Sequence, residues 1–383
     1  MIALTATTTI IGAGPVGLSF ALMRSHAGEA TLVLDRQTYP PTHADARSLA
    51  ISQGSVVMLA QLGVSLAQLP HAPIRHIHIS EQGAWGHTQI HSDEQNVPQL
   101  GVVVRYADLL NALNDLAQNQ PLISFMRPAQ LNGISENTEH VELKIQADDT
   151  EHTLRTRRLI HAEGGLFSRN TNASPQNDYQ QTALTATVTL STAKPAWAWE
   201  RFTAHGPCAL LPLCNDGLSF SLVWCTTPAD AARLQAADES TFLHELNAHL
   251  EHLTGRIASV GARHAFELGL KQNHQHSKRQ CNIGNAAQTL HPVAGQGFNL
   301  GLRDAHVLNQ QLNHSTHTAQ ALLAFTHERQ LDRRITTATT DGMARGFTFD
   351  FGGSHVRSGI FSILNAQPWL KSRIAKQFMY GLR

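Results

Sequence analysis

Three glycines in Ile10-Ile11-Gly12-Ala13-Gly14-Pro15-Val16-Gly17, followed by Asp35, form the first pattern in this chain with a chemistry attached. Gly12 suits a tight turn, Gly14 leaves room for a pyrophosphate to approach the backbone, and Gly17 lets a helix pack closely on a strand. Asp35 closes the apolar run Ala30-Thr31-Leu32-Val33-Leu34, where a carboxylate can accept hydrogen bonds from a ribose diol. Thr7-Thr8-Thr9 ahead of the turn favours a strand, and Leu18, Ala21 and Leu22 behind it recur at one-turn spacing. Strand, turn, helix, second strand and acid therefore come in the order a dinucleotide needs, with the helix N-terminus aimed at the phosphates. A second stretch, residues 281–304, carries Gly284-Asn285 after a short apolar lead-in, then His291-Pro292, and then Gly295, Gly297 and Gly301 into a helix. Backbone so free of Cβ atoms can press against a flat, phosphate-bearing group. The helix start offers free N–H groups to an anion or an electron-rich ring edge. One dinucleotide cofactor explains both segments.

The elements that must position these groups follow from periodicity. Residues 43–70 read as a loop (His43-Ala44-Asp45-Ala46-Arg47-Ser48) and then a helix with Val56, Val57, Leu59 and Leu62 on one face. Residues 74–79 alternate as a half-buried strand does, 83–98 reads as a loop or hairpin, and Val102-Val103-Val104-Arg105 enters a helix near Asp108. Several strand-like pieces fill 122–160, the last leading to Glu163-Gly164-Gly165. From about residue 171 the composition shifts to Thr, Ala, Gln and Asn, with strands at 182–190, 199–203 and 219–225 and helical patterns at 228–252. The chain returns to the nucleotide unit near 281 and is mostly helical beyond 304. This predicts an α/β fold: a three-layer, Rossmann-type dinucleotide-binding domain (1–70, 98–172 and 273–345), which the resemblance given below makes an FAD-binding domain, an inserted mixed-sheet substrate domain (71–97 and 173–272) and a C-terminal helical segment (346–383).

Composition narrows the function. At 383 residues the chain exceeds the usual ceiling for one core. A formal net charge of zero, with no block of like charges, argues against nucleic acid as a partner. The 23 histidines read as scattered, mostly solvated residues, and no metal site is expected. Cys208, Cys214, Cys225 and Cys281 have no CxxC spacing and read as reduced thiols of a reducing compartment. The first 22 residues lack the basic start of a signal peptide, and no run of 18 apolar residues exists to span a bilayer. The expected location is cytoplasmic, with peripheral contact at the inner membrane open.

With both glycine segments placed, the chain resembles the class A flavoprotein monooxygenases of the para-hydroxybenzoate hydroxylase fold, and within them the ubiquinone-biosynthesis hydroxylases. The resemblance runs over nearly the whole chain. It is most specific at Trp199-Glu-Arg-Phe-Thr203, Gly206-Pro-Cys-Ala-Leu-Leu-Pro212 and Gln288-Thr-Leu-His-Pro-Val-Ala-Gly-Gln-Gly-Phe-Asn-Leu-Gly301. It implies hydroxylation of a lipophilic polyprenyl-phenol, foremost at ring C4 of a 2-polyprenyl-6-methoxyphenol. NADPH or NADH would reduce FAD, and O₂ would add at the flavin C4a position. Hydroxylation at C5 or C6, a reductase or halogenase-like flavoenzyme, and an idle scaffold subunit of a quinone-synthesis complex are the competing readings. The resemblance also implies partner proteins of ubiquinone biosynthesis.

Carried over residue by residue, the resemblance implies FAD contacts at Gly12, Gly14, Gly17, Asp35, Arg36, Arg47, Arg105, Glu163, Asn285, Gly295, Gln296, Gly297 and Asn299. Arg47 and Arg105 would meet the flavin and the pyrophosphate or ribityl region. Asn285 stands where many relatives carry Asp, and Asn still offers a donor and an acceptor to a ribityl hydroxyl. Ala162-Glu163-Gly164 departs from the usual Ala-Asp-Gly by one methylene. His291, beside Pro292 in the flavin-facing loop, is the candidate acid–base group toward a phenol. Its alternative is to hold that loop by hydrogen bonds to backbone. Tyr179, Gln181, Trp199 and Trp224 either line a substrate cavity or fill a core. The tail (Ile360, Phe361, Ile363, Leu364, Trp369, Leu370, with Lys371, Arg373 and Lys376) reads either as an amphipathic membrane-contact helix or as ordinary packing.

Overall fold

The computed structural model describes residues 4–41, 45, 47–84, 86–164, 177–273, 276–346, 365 and 367–381. The expected segments at 42–44, at 165 and at 360–364 lie outside them.

The strand Leu4–Ile11 sits in the middle of a seven-stranded sheet, with Thr8, Thr9 and Ile10 fully buried. Its neighbours Thr31–Leu34 and Thr150–His161 both run parallel to it, as expected of a strand covered on two faces. The long strand Thr150–His161 changes partner along its length. Residues 150–156 pair antiparallel with Val141–Ala147, whereas 159–161 pair parallel with Gln280–Asn282. That exchange is how the chain re-enters the nucleotide sheet after its long excursion.

The helix Pro15–His26 is buried on nearly every side, which explains an apolar composition that imitates a leader sequence. Phe20, Leu18 and Leu22 join Leu302, Leu308 and Phe325 from the late helices Gln296–His314 and Thr318–Gly346 in one core. Each such side chain contributes about 1.5–3 kcal/mol on burial.

The second sheet has nine strands and is mostly antiparallel, centred on Asn177–Leu190, Ser219–Thr226, Gly206–Pro212 and Trp197–Thr203. Trp199, Trp224 and Phe220 pack under Phe242, Leu246 and Leu250 of the helix Glu239–Thr254. These two tryptophans are core residues. Ile77, Ile79, Ala198 and Leu211 pack instead with Val103 and with Ala375 and Met379 of the C-terminal helix Pro368–Tyr380.

Three sequence expectations change. Ser48–Ser52, where the sequence predicts a loop passing into a helix, is a strand pairing with Gly101–Arg105, which also pairs with His71–Ile74. The next strand, His76–Glu81, belongs to the large sheet. Gly206–Pro212, not foreseen as a strand, is almost wholly buried inside that sheet. The histidines are also not all scattered. His76 and His78 on one strand face His91 and His87 on the next, with the Nδ1 atoms of His76 and His91 2.8 Å apart and the rings of His78 and His87 stacked. Among the described residues no group of three or more His, Cys, Asp or Glu side chains is arranged to hold a metal.

Candidate active site

The first glycine turn is closed by backbone. Gly12 has φ +104°, donates to the Leu34 carbonyl at 2.8 Å, and lies so close to Ala162 that a Cβ would stand 2.8 Å from its carbonyl oxygen. A Cβ on Gly17 would be 2.1 Å from the Gly12 oxygen, so the helix meets the turn with no side chain between them. Gly14 differs: its nearest foreign atom is the Tyr106 hydroxyl, 3.6 Å from where a Cβ would be. It caps Pro15–His26 without a side-chain hydrogen bond, and that helix's first turn holds no acid. An open glycine at an uncapped helix start is the surface a pyrophosphate needs. Asp35 accepts the Ala13 N–H at 2.6 Å through one oxygen and the Gln37 N–H at 2.8 Å through the other. Each oxygen keeps a lone pair for a ribose hydroxyl. Arg36, next to it, is exposed.

The late glycine segment meets this turn directly. A Cβ on Gly284 would be 3.1 Å from Val16, and one on Gly301 would be 2.9 Å from both Val16 and Gly284. The turn at Gly284 is fixed from below by Asp304, which accepts the Gly284 N–H at 3.3 Å and bonds to Arg329 and Arg333 at 2.8 Å each. Burial would raise the Asp304 carboxyl, but the two guanidiniums hold it below its ordinary value. Asn285 projects next to it and is exposed.

Gly295, at φ +58°, sits 2.9 Å (from its would-be Cβ) over Ala50 on the strand Ser48–Ser52. Asn299 ties the same strand to the helix. It donates to the carbonyls of Ala50 and Gly295 at 2.9 and 2.8 Å and accepts the Ser52 N–H at 2.9 Å. Its side chain is thus spent inside the protein. Gln296 is buried with its amide near the Phe378 carbonyl, at 3.5 Å. Gly297 has no atom within 4 Å of where a Cβ would be. Gly14 and Gly297 are therefore both open, and Val16 links the two segments that carry them.

Arg47 is held by Asp45 through several bonds, the shortest 2.5 Å, and lies over the Tyr106 ring at 5.4 Å. Burial would raise the Asp45 carboxyl, but the Arg47 guanidinium keeps it low. Burial also pushes the Tyr106 phenol up to about 12, so this ring near Gly14 stays neutral. Arg105 is exposed at the end of its strand. Glu163, which follows Ala162 against the Gly12 turn, contacts His161 at 3.5 Å and remains 44% exposed.

His291 is 1% exposed and both ring nitrogens are engaged. Nδ1 accepts the Val293 N–H at 3.2 Å, so the proton sits on Nε2, which donates to Gln181 Oε1 at 2.9 Å. Gln181 is oriented in turn by donating to the His205 carbonyl at 2.9 Å. A bulge between Asp178 and Gln181, with Gln180 at φ +51°, aims the amide here. Tyr179 meets the imidazole edge-on at 5.0 Å. Burial pushes the His291 imidazole down to about 4. The ring is neutral and fully bonded, which is the geometry of a loop anchor. Val293, two residues on, packs against Phe202 and Ile79, so the Pro292–Gly297 loop is pinned to the large sheet. Gln181 and Tyr106 are the contributors that sequence reasoning left without a firm role.

Two glycine segments joined through Val16, each with an open glycine, make the kind of surface a dinucleotide cofactor needs. Residues 5–340 match the model of the FAD binding domain family, and the chain belongs to that family. It is similar to the 3-demethoxyubiquinol 3-hydroxylase of Escherichia coli (strain K12), 29% identical over 311 residues that cover 78% of this chain and 77% of the relative. It is also similar to ubiquinone hydroxylase UbiL of Rhodospirillum rubrum, 28% identical over 359 residues covering 90% and 82%. Among solved structures, p-nitrophenol 4-monooxygenase PnpA from Pseudomonas putida superposes with a TM-score of 0.77 at 14% identity over 100% of both chains. At that identity the likeness concerns the fold. The chain is an FAD-dependent aromatic-ring monooxygenase, with NAD(P)H as the reductant typical of its family.

Proposed function

We propose that the chain hydroxylates a polyprenylated phenol of ubiquinone synthesis, at ring C4 of a 2-polyprenyl-6-methoxyphenol, using NADPH or NADH and O₂. The observation that carries this is the contact of Gly284 and Gly301 with Val16, which lets one FAD lie along Gly14 and Gly297. Bound FAD supplies the oxygen-transfer chemistry. The residues of the chain bind and orient it. The helix start at Gly14 takes the pyrophosphate, Asp35 takes a ribose hydroxyl, and the His291–Gln181 anchor fixes the loop that faces the ring. Ile79, Phe202 and Val293 keep water from the reacting carbon. The motif resemblance supports C4. The Escherichia coli relative is named a 3-hydroxylase, which supports a second reading in which a ring carbon other than C4 is hydroxylated; C5 and C6 are the positions considered.

Incubating the FAD-loaded protein with NAD(P)H, O₂ and a short-chain 2-prenyl-6-methoxyphenol tests the proposal. A product carrying a new hydroxyl at C4, located by NMR, is expected. A hydroxyl elsewhere moves the assignment to the second reading. Protein that cannot be loaded with FAD, or that oxidises no NAD(P)H in the presence of the phenol once loaded, would reduce the chain to a scaffold of a quinone-synthesis complex.

Peripheral contact with a membrane belongs to the same proposal. Trp369 is 61% exposed on the helix Pro368–Tyr380, alongside exposed Arg373 and Lys376. Lys371 is not available for that contact, because it is buried and bonded to Glu94 at 2.9 Å. Among the described residues no helix is long and apolar enough to cross a membrane. Trp369→Glu should lower cosedimentation with liposomes, and unchanged sedimentation would count against the contact.

A further inference from the structure

A cavity of about 710 Å³ lies at the opposite end of the nucleotide sheet from the glycine turn. It reaches Ala6 and Thr7 on the strand whose far end enters Gly12, and Arg155 on the neighbouring strand stands level with them. Five residues, about 16 Å of extended strand, separate Thr7 from Gly12. A group bound here is therefore clear of the pyrophosphate cradle.

The chain as a whole has no net charge, yet this cavity is lined by Arg155, Arg157, Lys278 and Arg279 against one carboxylate, Glu139. Arg155 has a single ion pair, with Glu142 outside the lining at 3.3 Å. Among the described residues Arg157, Lys278 and Arg279 have no carboxylate partner. Arg157 donates to the Thr316 carbonyl at 2.9 Å, and Arg279 donates to the carbonyls of Arg157, at 3.1 Å, and of Thr138. Carbonyls fix these guanidiniums in place without neutralising them. Two further donors are unused: Arg279 Nε and the hydroxyl of Thr318, a residue 7% exposed at the start of the long helix, are buried without a hydrogen-bond partner.

We infer that this cavity binds a phosphate-bearing anion. Arg157 and Arg279, fixed by carbonyls, and the neighbouring Lys278 and Arg155 put more positive charge here than Glu139 and Glu142 offset, and planar guanidiniums match phosphate oxygens in pairs. The volume lies within the range of small-molecule sites. Its lining is dominated by cationic and hydroxyl donors, with no Phe, Tyr or Trp, so the recognised group is the phosphate itself. It is supplied either free in solution or as the headgroup of an anionic phospholipid.

The test uses the FAD-loaded protein, so that the cofactor cradle is already filled. Pyrophosphate is titrated by calorimetry, and cosedimentation is measured with phosphatidylcholine vesicles with and without phosphatidylglycerol. The comparison protein carries Arg155→Ala and Lys278→Ala, both at exposed side chains, so the fold is retained. Binding in at least one arm is expected, weakened about tenfold or more in the double variant, with the flavin absorbance unchanged. A pyrophosphate response identifies the free anion, and a response confined to phosphatidylglycerol vesicles identifies the headgroup. Wild-type protein that binds neither at millimolar concentration, or a double variant that binds as wild type does, overturns the inference.

Discussion

Gln181→Leu keeps the approximate shape of a buried side chain while removing both of its hydrogen bonds. In the native arrangement Gln181 accepts the His291 Nε2–H and donates to the His205 carbonyl, each at 2.9 Å. With leucine in place, an imidazole N–H that is 1% exposed loses its acceptor, and the His205 carbonyl loses its donor. Each buried polar group left unpaired costs about 1–3 kcal/mol, so the variant should lose about 2–6 kcal/mol. That is a large part of the 5–15 kcal/mol typical of a folded domain. Part of the loss can be expressed locally, as release of the Pro292–Gly297 loop from the sheet, and it then appears as weaker FAD binding. Both routes are measured together, by urea unfolding of the apoprotein followed through tryptophan fluorescence and by the FAD dissociation constant from flavin fluorescence. If Gln181→Leu unfolds within about 0.5 kcal/mol of wild type and binds FAD equally well, the anchor described here does not hold the loop.

Gly14→Val should separate cofactor binding from folding. Gly14 has an ordinary φ of −74° and space around its would-be Cβ, so the apoprotein should melt as wild type does while FAD is lost during purification. Stoichiometric FAD in that variant would refute the cradle. Acid should weaken the fold through His291, whose imidazole is held near 4 against an ordinary 6.5. Between those values the unfolded chain takes up a proton that the folded chain refuses. Stability therefore falls as pH drops from about 6.5 to 4, by a total of about 3 kcal/mol from this residue, and levels off below. His291→Asn should flatten that slope in urea melts run across the interval, and an unchanged slope would place the acid sensitivity elsewhere.

The glycine turn was legible because its requirements are local. Gly12, Gly14 and Gly17 each answer a contact made within a few residues or across one strand pair, and their spacing carries that information. The strand Ser48–Ser52 was not legible. Its five residues are too few for the alternation of Leu49 and Ile51 to stand out beside a helical pattern, and what makes it a strand is pairing with Gly101–Arg105 across about fifty residues. Yet it is the ledge on which Gly295 and Asn299 rest. Gly206–Pro212 was missed for a different reason, since a strand buried on both faces shows no period of two. A histidine beside a proline in that loop suggests both an acid–base group and a loop anchor, and its own neighbours in sequence do not decide between them. Only the partner 110 residues earlier shows that both nitrogens are engaged. His76-Ile-His78 marked a histidine group in plain view, but its other half lies on the next strand.

The contact of Val16 with Gly284 and Gly301 also bears on how the protein is made. Gly14 and Gly284 are separated by 270 residues, so at about 5–20 residues per second the ribosome needs roughly 15–50 s between finishing one half of the cradle and the other. During that interval the emerging amino-terminal segment must keep its apolar helix covered without help from flavin. Supply of the vitamin-derived cofactor can therefore rescue a destabilised full-length chain, but it cannot protect a truncated one.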